Sequence, residues 1–327
     1  MTNRIPLAHL PTPIEPLSRL TTLLQGPQLF IKRDDLTGLG LGGNKTRKLE
    51  YLTADALEQG CRTLITTGAM QSNHCRKVAA AAARLGLGCI LVLGGPDPGT
   101  RQGNLLLDEL SGAKLVFVPK EKRDQRLQQA FAQAEEDGMQ PYLIPYGGSN
   151  PVGVQGYLQA MQELQEQALK PDWIVLASSS GGTQAGMVLG GKQTGFTGRI
   201  LGISVDKLAT ELIQTIIALA NQTATYLNMG VEITPQDVFV NDAYCQAGYG
   251  NLQPAEVEAI QLFARTEGIL LDPVYTGRAA AGLIDLIRQG FFRRDEAVLF
   301  WHTGGIPALF AEPYASALLG SSSLSKQ

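Results

Sequence analysis

The 327-residue chain is long for one compact core and short for three, so two lobes are expected, and its 44% apolar and 17% charged content is ordinary for a globular protein. Its 27 basic and 30 acidic side chains sum to −3 with no block of like charge, which excludes an electrostatic footprint for nucleic acid or an acidic membrane and favours small-molecule chemistry. Four cysteines (Cys61, Cys75, Cys89, Cys245) and three histidines (His9, His74, His302) form neither a CxxC pair nor a Cys/His ligand spacing, so no protein-held metal and no disulfide framework is expected.

At the N-terminus, MTNRIPLAHLPTPIEPL is broken by prolines before any apolar run of signal length. No later stretch approaches about 18 uninterrupted apolar residues, so a cytoplasmic location is expected. Short β-branched, apolar runs then recur, each closed by a glycine or polar turn: QLFIKRDDL near residue 28, RTLITTG at 62, CILVLGG at 89, AKLVFVP at 113, PYLIPYGG at 141, DWIVLASSSGG at 172, RILGISV at 199 and AVLFWHTGG at 297. These predict buried strands. Helical stretches with capping signals lie between them: Asn44 onward, Ser72 or Asn73 to Arg84, Thr100 to Leu110, Pro151 to Gln167, Thr183 to Gly191, Pro254 to Glu267 and Gly277 to Arg288. The alternation predicts an α/β chain with largely parallel sheets covered on both faces. A small sheet of five strands is expected between residues 62 and 148, a second sheet from both flanks, and a boundary at GGSNPVG, 147–153; the Ser-rich tail SSSLSKQ is expected to fray.

Parallel sheets bind ligands outside the C-terminal ends of their strands, which directs attention to the turns. In KRDDLTGLGLGGNKTRKLE, residues 32–50, glycines lead to Asn44, a suitable N-cap, and then to Lys45 in the first helical turn. The partial positive charge of a helix start disfavours a cation there; with partial burial it would lower the Lys45 pKa and suit the amine to imine formation. Position alone also allows an ordinary exposed lysine, and Lys48 a turn later reads as unremarkable. In TTGAMQSNHCRKVAAAAARLG, residues 66–86, a strand runs into Gln71, Ser72, Asn73 and His74; free N–H groups at that helix start suit a substrate carboxylate, and Ser72 or Asn73 equally suits a plain cap. LASSSGGTQAGM, 176–187, joins strand to helix through small residues that let a phosphate approach. It lacks both GxxxxGK[ST] and GxGxxG, so phosphate without nucleotide is expected. Near the C-terminus, DPVYTGRA carries Tyr275 and Thr276, HTGG carries His302 and Thr303, and QAGYGN carries Tyr249.

Together, GGNKTRKLEYL, GAMQSNHCR, SSGGTQAGM, DPVYTGRA and HTGG occur in the order and spacing of one family. The sequence resembles the D-cysteine desulfhydrase and 1-aminocyclopropane-1-carboxylate (ACC) deaminase family of fold type II enzymes dependent on pyridoxal 5′-phosphate (PLP). The resemblance runs from about Leu10 to Pro307 and weakens between about residues 205 and 245. It implies two domains, each an open, mostly parallel twisted sheet flanked by helices, with the active site in the cleft between them. The large PLP-binding domain would comprise residues 1–46 and 154–327 and the small one residues 47–153, in a homodimer. By the same resemblance Lys45 is the Schiff-base lysine, and Asn73 bonds the PLP phenolic oxygen. Ser180, Gly181, Gly182 and Thr183 form the phosphate loop, Ser72 lies by the substrate with Gln71 and His74, and Tyr275 and Tyr249 are active-site tyrosines.

Two positions bear on the chemistry. ACC deaminases carry glutamate after the DPVY tyrosine and leucine before the glycine pair; Thr276 and Thr303 here follow the desulfhydrase pattern. A neutral hydroxyl leaves the pyridine nitrogen less firmly protonated than a carboxylate would, which suits β-elimination of a thiolate better than opening a cyclopropane. Thr303 is expected at the ring nitrogen, with Thr276 the alternative. The expected activity is α,β-elimination of D-cysteine to pyruvate, ammonia and hydrogen sulfide, with proton abstraction at Cα by Lys45, Tyr275 or Tyr249. ACC deamination, another PLP lyase or racemase acting on a small amino acid, and a non-catalytic phosphate-ligand or amino-acid-binding protein are the alternatives.

Overall fold

The computed structural model describes residues 3–320, and the tail SSSLSKQ lies outside the described residues. Two sheets organise the chain. The larger holds β1 (Ile14–Pro16), β2 (Gln28–Lys32), β7 (Trp173–Ser178), β8 (Arg199–Ser204), β9 (Phe239–Asn241) and β10 (Ala297–Trp301) in the order β1-β2-β10-β7-β8-β9. Only β1 runs antiparallel to its neighbour. The smaller holds β3 (Thr63–Ala69), β4 (Gly88–Gly94), β5 (Lys114–Val118) and β6 (Pro141–Leu143), all parallel, in the order β5-β4-β3-β6.

The helices are α1 (Ser18–Leu24), α2 (Lys45–Glu58), α3 (Asn73–Leu85), α4 (Gly103–Leu110), α5 (Arg123–Glu136), α6 (Pro151–Glu166), α7 (Gly182–Thr194), α8 (Ala209–Tyr226), α9 (Pro254–Glu267), α10 (Thr276–Arg288) and α11 (Tyr314–Gly320). None among the described residues is long and apolar enough to cross a membrane.

All eight apolar runs become strands because both their faces are covered. Strand periodicity sends alternate side chains to opposite sides. In β7, Val175 and Ala177 join the core beneath α9 and α10, whereas Ile174 and Leu176 join the core beneath α6, α7 and α8. The small sheet repeats the pattern: Leu64, Leu91 and Leu93 pack with α2 and α3, and Ile65, Ile90 and Val92 with α5. The small sheet has four strands rather than the expected five: each of the four apolar runs between residues 62 and 148 supplies one, and the segment between β5 and β6 forms α5. That helix was not foreseen; it buries only Leu127, Ala130 and Ala134, a stripe too narrow to stand out in a polar stretch. Nor was α8, although Leu212, Ile216 and Ala220 keep helical spacing, since Leu208 before it offers no side-chain cap. Helix α4 starts three residues later than Thr100 because Gln102 is extended.

One buried polar cluster fixes α2 to the large sheet. Asp34 accepts from Arg47 (Nε to Oδ2 2.9 Å, Nη2 to Oδ1 2.8 Å), from the Tyr157 hydroxyl at 2.5 Å and from Trp301 Nε1 at 2.8 Å. Arg47 also holds Glu163 through two contacts of 2.9 Å, and Glu163 pairs with the fully buried Lys32. Such a cluster sets geometry more than it adds stability, because desolvation offsets most of the attraction. Its consequence is a rigid start for α2, two residues from Lys45.

Candidate active site

Turns from both sheets converge, at the C-terminal ends of their parallel strands, on a cleft that is partly open to solvent. Lys45, Ser72, Asn73, His74, Ser180, Gly181, Thr183, Tyr275 and Thr303 all line it.

Lys45 is the first residue of α2 and half-buried. The main chain before it is tied down: Gly43 N donates to Asp34 O at 2.8 Å, and Asn44 N to Thr303 O at 3.0 Å. Among the described residues no carboxylate forms an ion pair with Lys45. Removal from water therefore brings its pKa down to about 8. Asn44 does not cap the helix as expected. Its backbone is helical rather than extended, and its Nδ2 instead reaches across to Thr183 Oγ1 at 3.0 Å.

The facing wall is the turn from β7 into α7. Gly181 takes a left-handed conformation (φ 78°), and the first intrahelical bond is Ala185 N to Gly181 O at 2.8 Å, so the N–H groups before it are free for an anion. Ser178 Oγ is buried there without a protein partner among the described residues. Lys48, read from sequence as unremarkable, is fully buried directly behind this turn. Its Nζ donates to Gly147 O at 3.1 Å and to Ser149 Oγ at 3.3 Å, and a Cβ on Gly182 would lie 2.9 Å from it. Ser149 and Ser180 hydroxyls lie 2.8 Å apart. Burial first, and the Lys45 charge second, pull the Lys48 pKa far below the usual lysine range. A buried amine behind a helix start with free N–H groups suits an anion that would restore its charge, and a phosphate dianion fits it. Helical spacing puts Lys48 within a turn of Lys45, but its burial depends on the 147–149 segment from the small-sheet side.

On the third side, Ser72 caps α3 by accepting from Cys75 N at 3.2 Å. Asn73 accepts at Oδ1 from Asn104 Nδ2 at 2.9 Å, leaving its own Nδ2 toward the cleft. The Thr66 hydroxyl donates to Ile144 O at 2.8 Å, so His74 Nε2, 3.0 Å away, is the donor to Thr66. Burial, then the charges of Lys45 and Lys48, drive the His74 pKa far down and keep the ring neutral. Gln71 is not in the cleft: its Nε2 donates to Gln102 O and its Oε1 accepts from Asn104 N, because the turn after β3 is clamped to α4.

Thr303 lines the cleft, but Thr276 does not. The Thr276 hydroxyl donates to Asp272 Oδ1 at 2.8 Å and accepts from Asp272 N at 2.7 Å, closing the start of its own helix. Its hydroxyl is therefore spent within its own helix start and does not face the cleft. Tyr249 reaches the cleft only through Tyr275, their hydroxyls 2.9 Å apart and their rings edge to face. Burial and the neighbouring tyrosines hold both phenols well above their usual pKa, so they stay protonated. Tyr146, within the PYLIPYGG run, also lines the cleft; it went unnoticed because that run reads as a strand, which stops at Leu143.

The model of the family described as "Pyridoxal-phosphate dependent enzyme" matches residues 5–304. The chain is 44% identical over 318 residues to the D-cysteine desulfhydrase of Yersinia enterocolitica, covering 94% of this chain and 95% of that protein. With the D-cysteine desulfhydrase of Klebsiella pneumoniae it shares 42% identity over 317 residues at the same coverage. A solved structure described as an ACC deaminase homologue superposes with a TM-score of 0.89 at 39% identity, covering 98% of this chain and 96% of that one. A PLP-dependent aspartate racemase, 19% identical with a TM-score of 0.65, shares the fold.

Proposed function

The chain belongs to the pyridoxal-phosphate dependent enzyme family and is an enzyme that uses that cofactor, and on that premise we propose that it cleaves D-cysteine, with water, into pyruvate, ammonia and hydrogen sulfide. Lys45 is the residue to which the cofactor attaches. The N–H groups of Ser180, Gly181, Gly182 and Thr183, backed by Lys48, would hold its phosphate; Asn73 Nδ2 would meet the ring oxygen and the Thr303 hydroxyl the ring nitrogen. Bound PLP supplies an electron sink for negative charge at Cα.

The remaining work falls to the chain's own groups. N–H groups at the start of α3, beside Ser72 and His74, would receive the substrate carboxylate. The Lys45 amine, with a pKa brought down to about 8, is the acceptor for the Cα proton. Tyr275, kept protonated by burial and by Tyr249, is a donor toward the departing sulfur rather than a base.

The observation that favours this reading over ACC deamination is that, among the described residues, no carboxylate lines the cleft. Without one beside the ring nitrogen the sink is weaker, sufficient for loss of a β-thiolate. The 42–44% identity to proteins named D-cysteine desulfhydrase supports the same choice. The test is a product assay on the PLP-loaded enzyme: sulfide and pyruvate are expected from D-cysteine, and turnover is lost in Lys45→Ala. Production of 2-oxobutyrate from ACC without sulfide from D-cysteine would overturn it.

The two sheets support a division into a cofactor-holding domain, residues 1–46 and 154–327, and a smaller domain, residues 47–153. A cytoplasmic homodimer is the assembly the family pattern suggests, and sedimentation of the holoenzyme tests it.

A further inference from the structure

The orientation of the Asn73 amide is decided outside the cleft, and we propose that Asn104 is the positioning residue that decides it, keeping the Asn73 NH₂ turned toward the cofactor ring. The inference rests on the preceding reading of Asn73 as the donor to the ring oxygen.

Asn104 is the second residue of α4, fully buried, and does not line the cleft. Its Nδ2 serves two acceptors: the main-chain carbonyl of Gln71 at 3.0 Å and Asn73 Oδ1 at 2.9 Å. A backbone carbonyl only accepts, so the edge of Asn104 facing Gln71 must be the NH₂ edge; turning the amide round would set oxygen against oxygen. The second proton of that NH₂ goes to Asn73, which must answer with its carbonyl oxygen. What remains of the Asn73 amide is Nδ2, for which there is no protein acceptor among the described residues. It lies close against Gly305, where a Cβ would come within 2.7 Å of it. The determination therefore runs one way, from the Gln71 backbone through Asn104 to Asn73 and into the cleft.

The clamp is itself held in place. Asn104 N donates to Gln71 Oε1 at 2.8 Å, and Gln71 Nε2 donates to Gln102 O at 3.0 Å. Asn104 Oδ1, in contrast, is buried with no partner among the described residues. An unmet buried acceptor weakens the fold, and an apolar residue of the same size would avoid it. The donor edge is what the position supplies. Without it nothing dictates which edge Asn73 presents, and an Asn73 turned round would point a lone pair at an anionic ring oxygen.

The experiment titrates the visible absorption of the PLP-loaded protein against pH, with melting temperature in parallel, for the parent, Asn104→Leu, Asn104→Asp, Asn73→Leu and the double variant of the two leucine changes. A donor on the ring oxygen withdraws charge that otherwise holds the neighbouring imine proton, so its loss raises the titration midpoint. A rise of about one pH unit is expected in Asn104→Leu and in Asn73→Leu. The double variant should shift no further than Asn73→Leu alone, because the two residues act through one bond. Asn104→Asp keeps the shape and should shift at least as far, since its acid form has a single proton, which goes to Gln71 O and leaves only a lone pair to draw the Asn73 NH₂ away from the cleft; it carries the test if the leucine variant does not fold. A parent-like midpoint in the foldable Asn104 variants, with Asn73→Leu shifted, would overturn the role of Asn104 and leave the reading of Asn73 standing. Absence of a shift in Asn73→Leu as well would remove that reading, and this inference with it.

Discussion

Asn44 Nδ2 donates to Thr183 Oγ1 across 3.0 Å, joining the residue before Lys45 to the start of α7. The bond links the helix that carries the attachment lysine to the helix start proposed to hold the phosphate, so it fixes the span between two ends of one ligand. Asn44→Ala is expected to weaken PLP binding by about tenfold, the worth of one hydrogen bond, with little change in melting temperature. Cofactor titration of the apoenzyme measures it; an unchanged dissociation constant would show that the span is set elsewhere.

Lys45 becomes a free amine at lower pH than an ordinary lysine, because its folded-state pKa falls from 10.5 to about 8. Imine formation by the apoenzyme needs that free amine. The rate of PLP attachment should therefore rise with pH and level off just above 8, rather than climbing past 10. Stopped-flow absorbance across pH 6–10.5 provides the profile, and a rate still rising at the alkaline end would contradict the lowered pKa.

Lys48 is a buried amine whose charged form burial disfavours, set behind Gly182, and among the described residues no carboxylate pairs with it. If it balances the cofactor phosphate, Lys48→Met should cost about tenfold to a hundredfold in PLP affinity, in the range of a charge-assisted hydrogen bond. Lys45 should still attach the cofactor at saturating concentration. The same substitution removes a buried amine that is costly either to keep charged or to deprotonate, so the apoenzyme should melt higher while the holoenzyme gains less. Equal gains in both forms would argue against a phosphate contact.

Asp108 on α4 is fully buried, and neither of its carboxylate oxygens has a hydrogen-bond partner among the described residues. Burial raises its pKa to about 8 against a partial offset from Arg76. The folded chain thus holds a proton there between about pH 4 and 8 that the unfolded chain releases, so this group lowers stability as pH rises through that window. Asp108→Asn should raise the melting temperature at pH 8 and lose that advantage toward pH 4. Melting curves at the two pH values decide it; a gain independent of pH would contradict the raised pKa.

The sequence by itself determined eight of the ten strands among the described residues, most of the helices around the cleft and Lys45 as the candidate attachment lysine. Eight apolar runs could form only doubly covered parallel strands, and the turns after them had to carry the site, because ligands of such sheets sit at the strand ends. Small residues and free helix starts at Ser72–Asn73 and Ser180–Thr183 are local features, legible without partners. What the tertiary structure decided is where side chains turn once several acceptors compete. Asn44 leaves its own helix for Thr183, Gln71 is consumed by α4, and Thr276 closes on Asp272 instead of facing the cleft. Lys48 and Tyr146 join the site only because a turn from the small sheet meets a helix start from the large one. Spacing along one helix or strand fixes a residue's neighbours a few positions away, whereas burial, desolvation and the choice of hydrogen-bond partner depend on segments roughly a hundred residues distant, as Lys48 and Gly147 are.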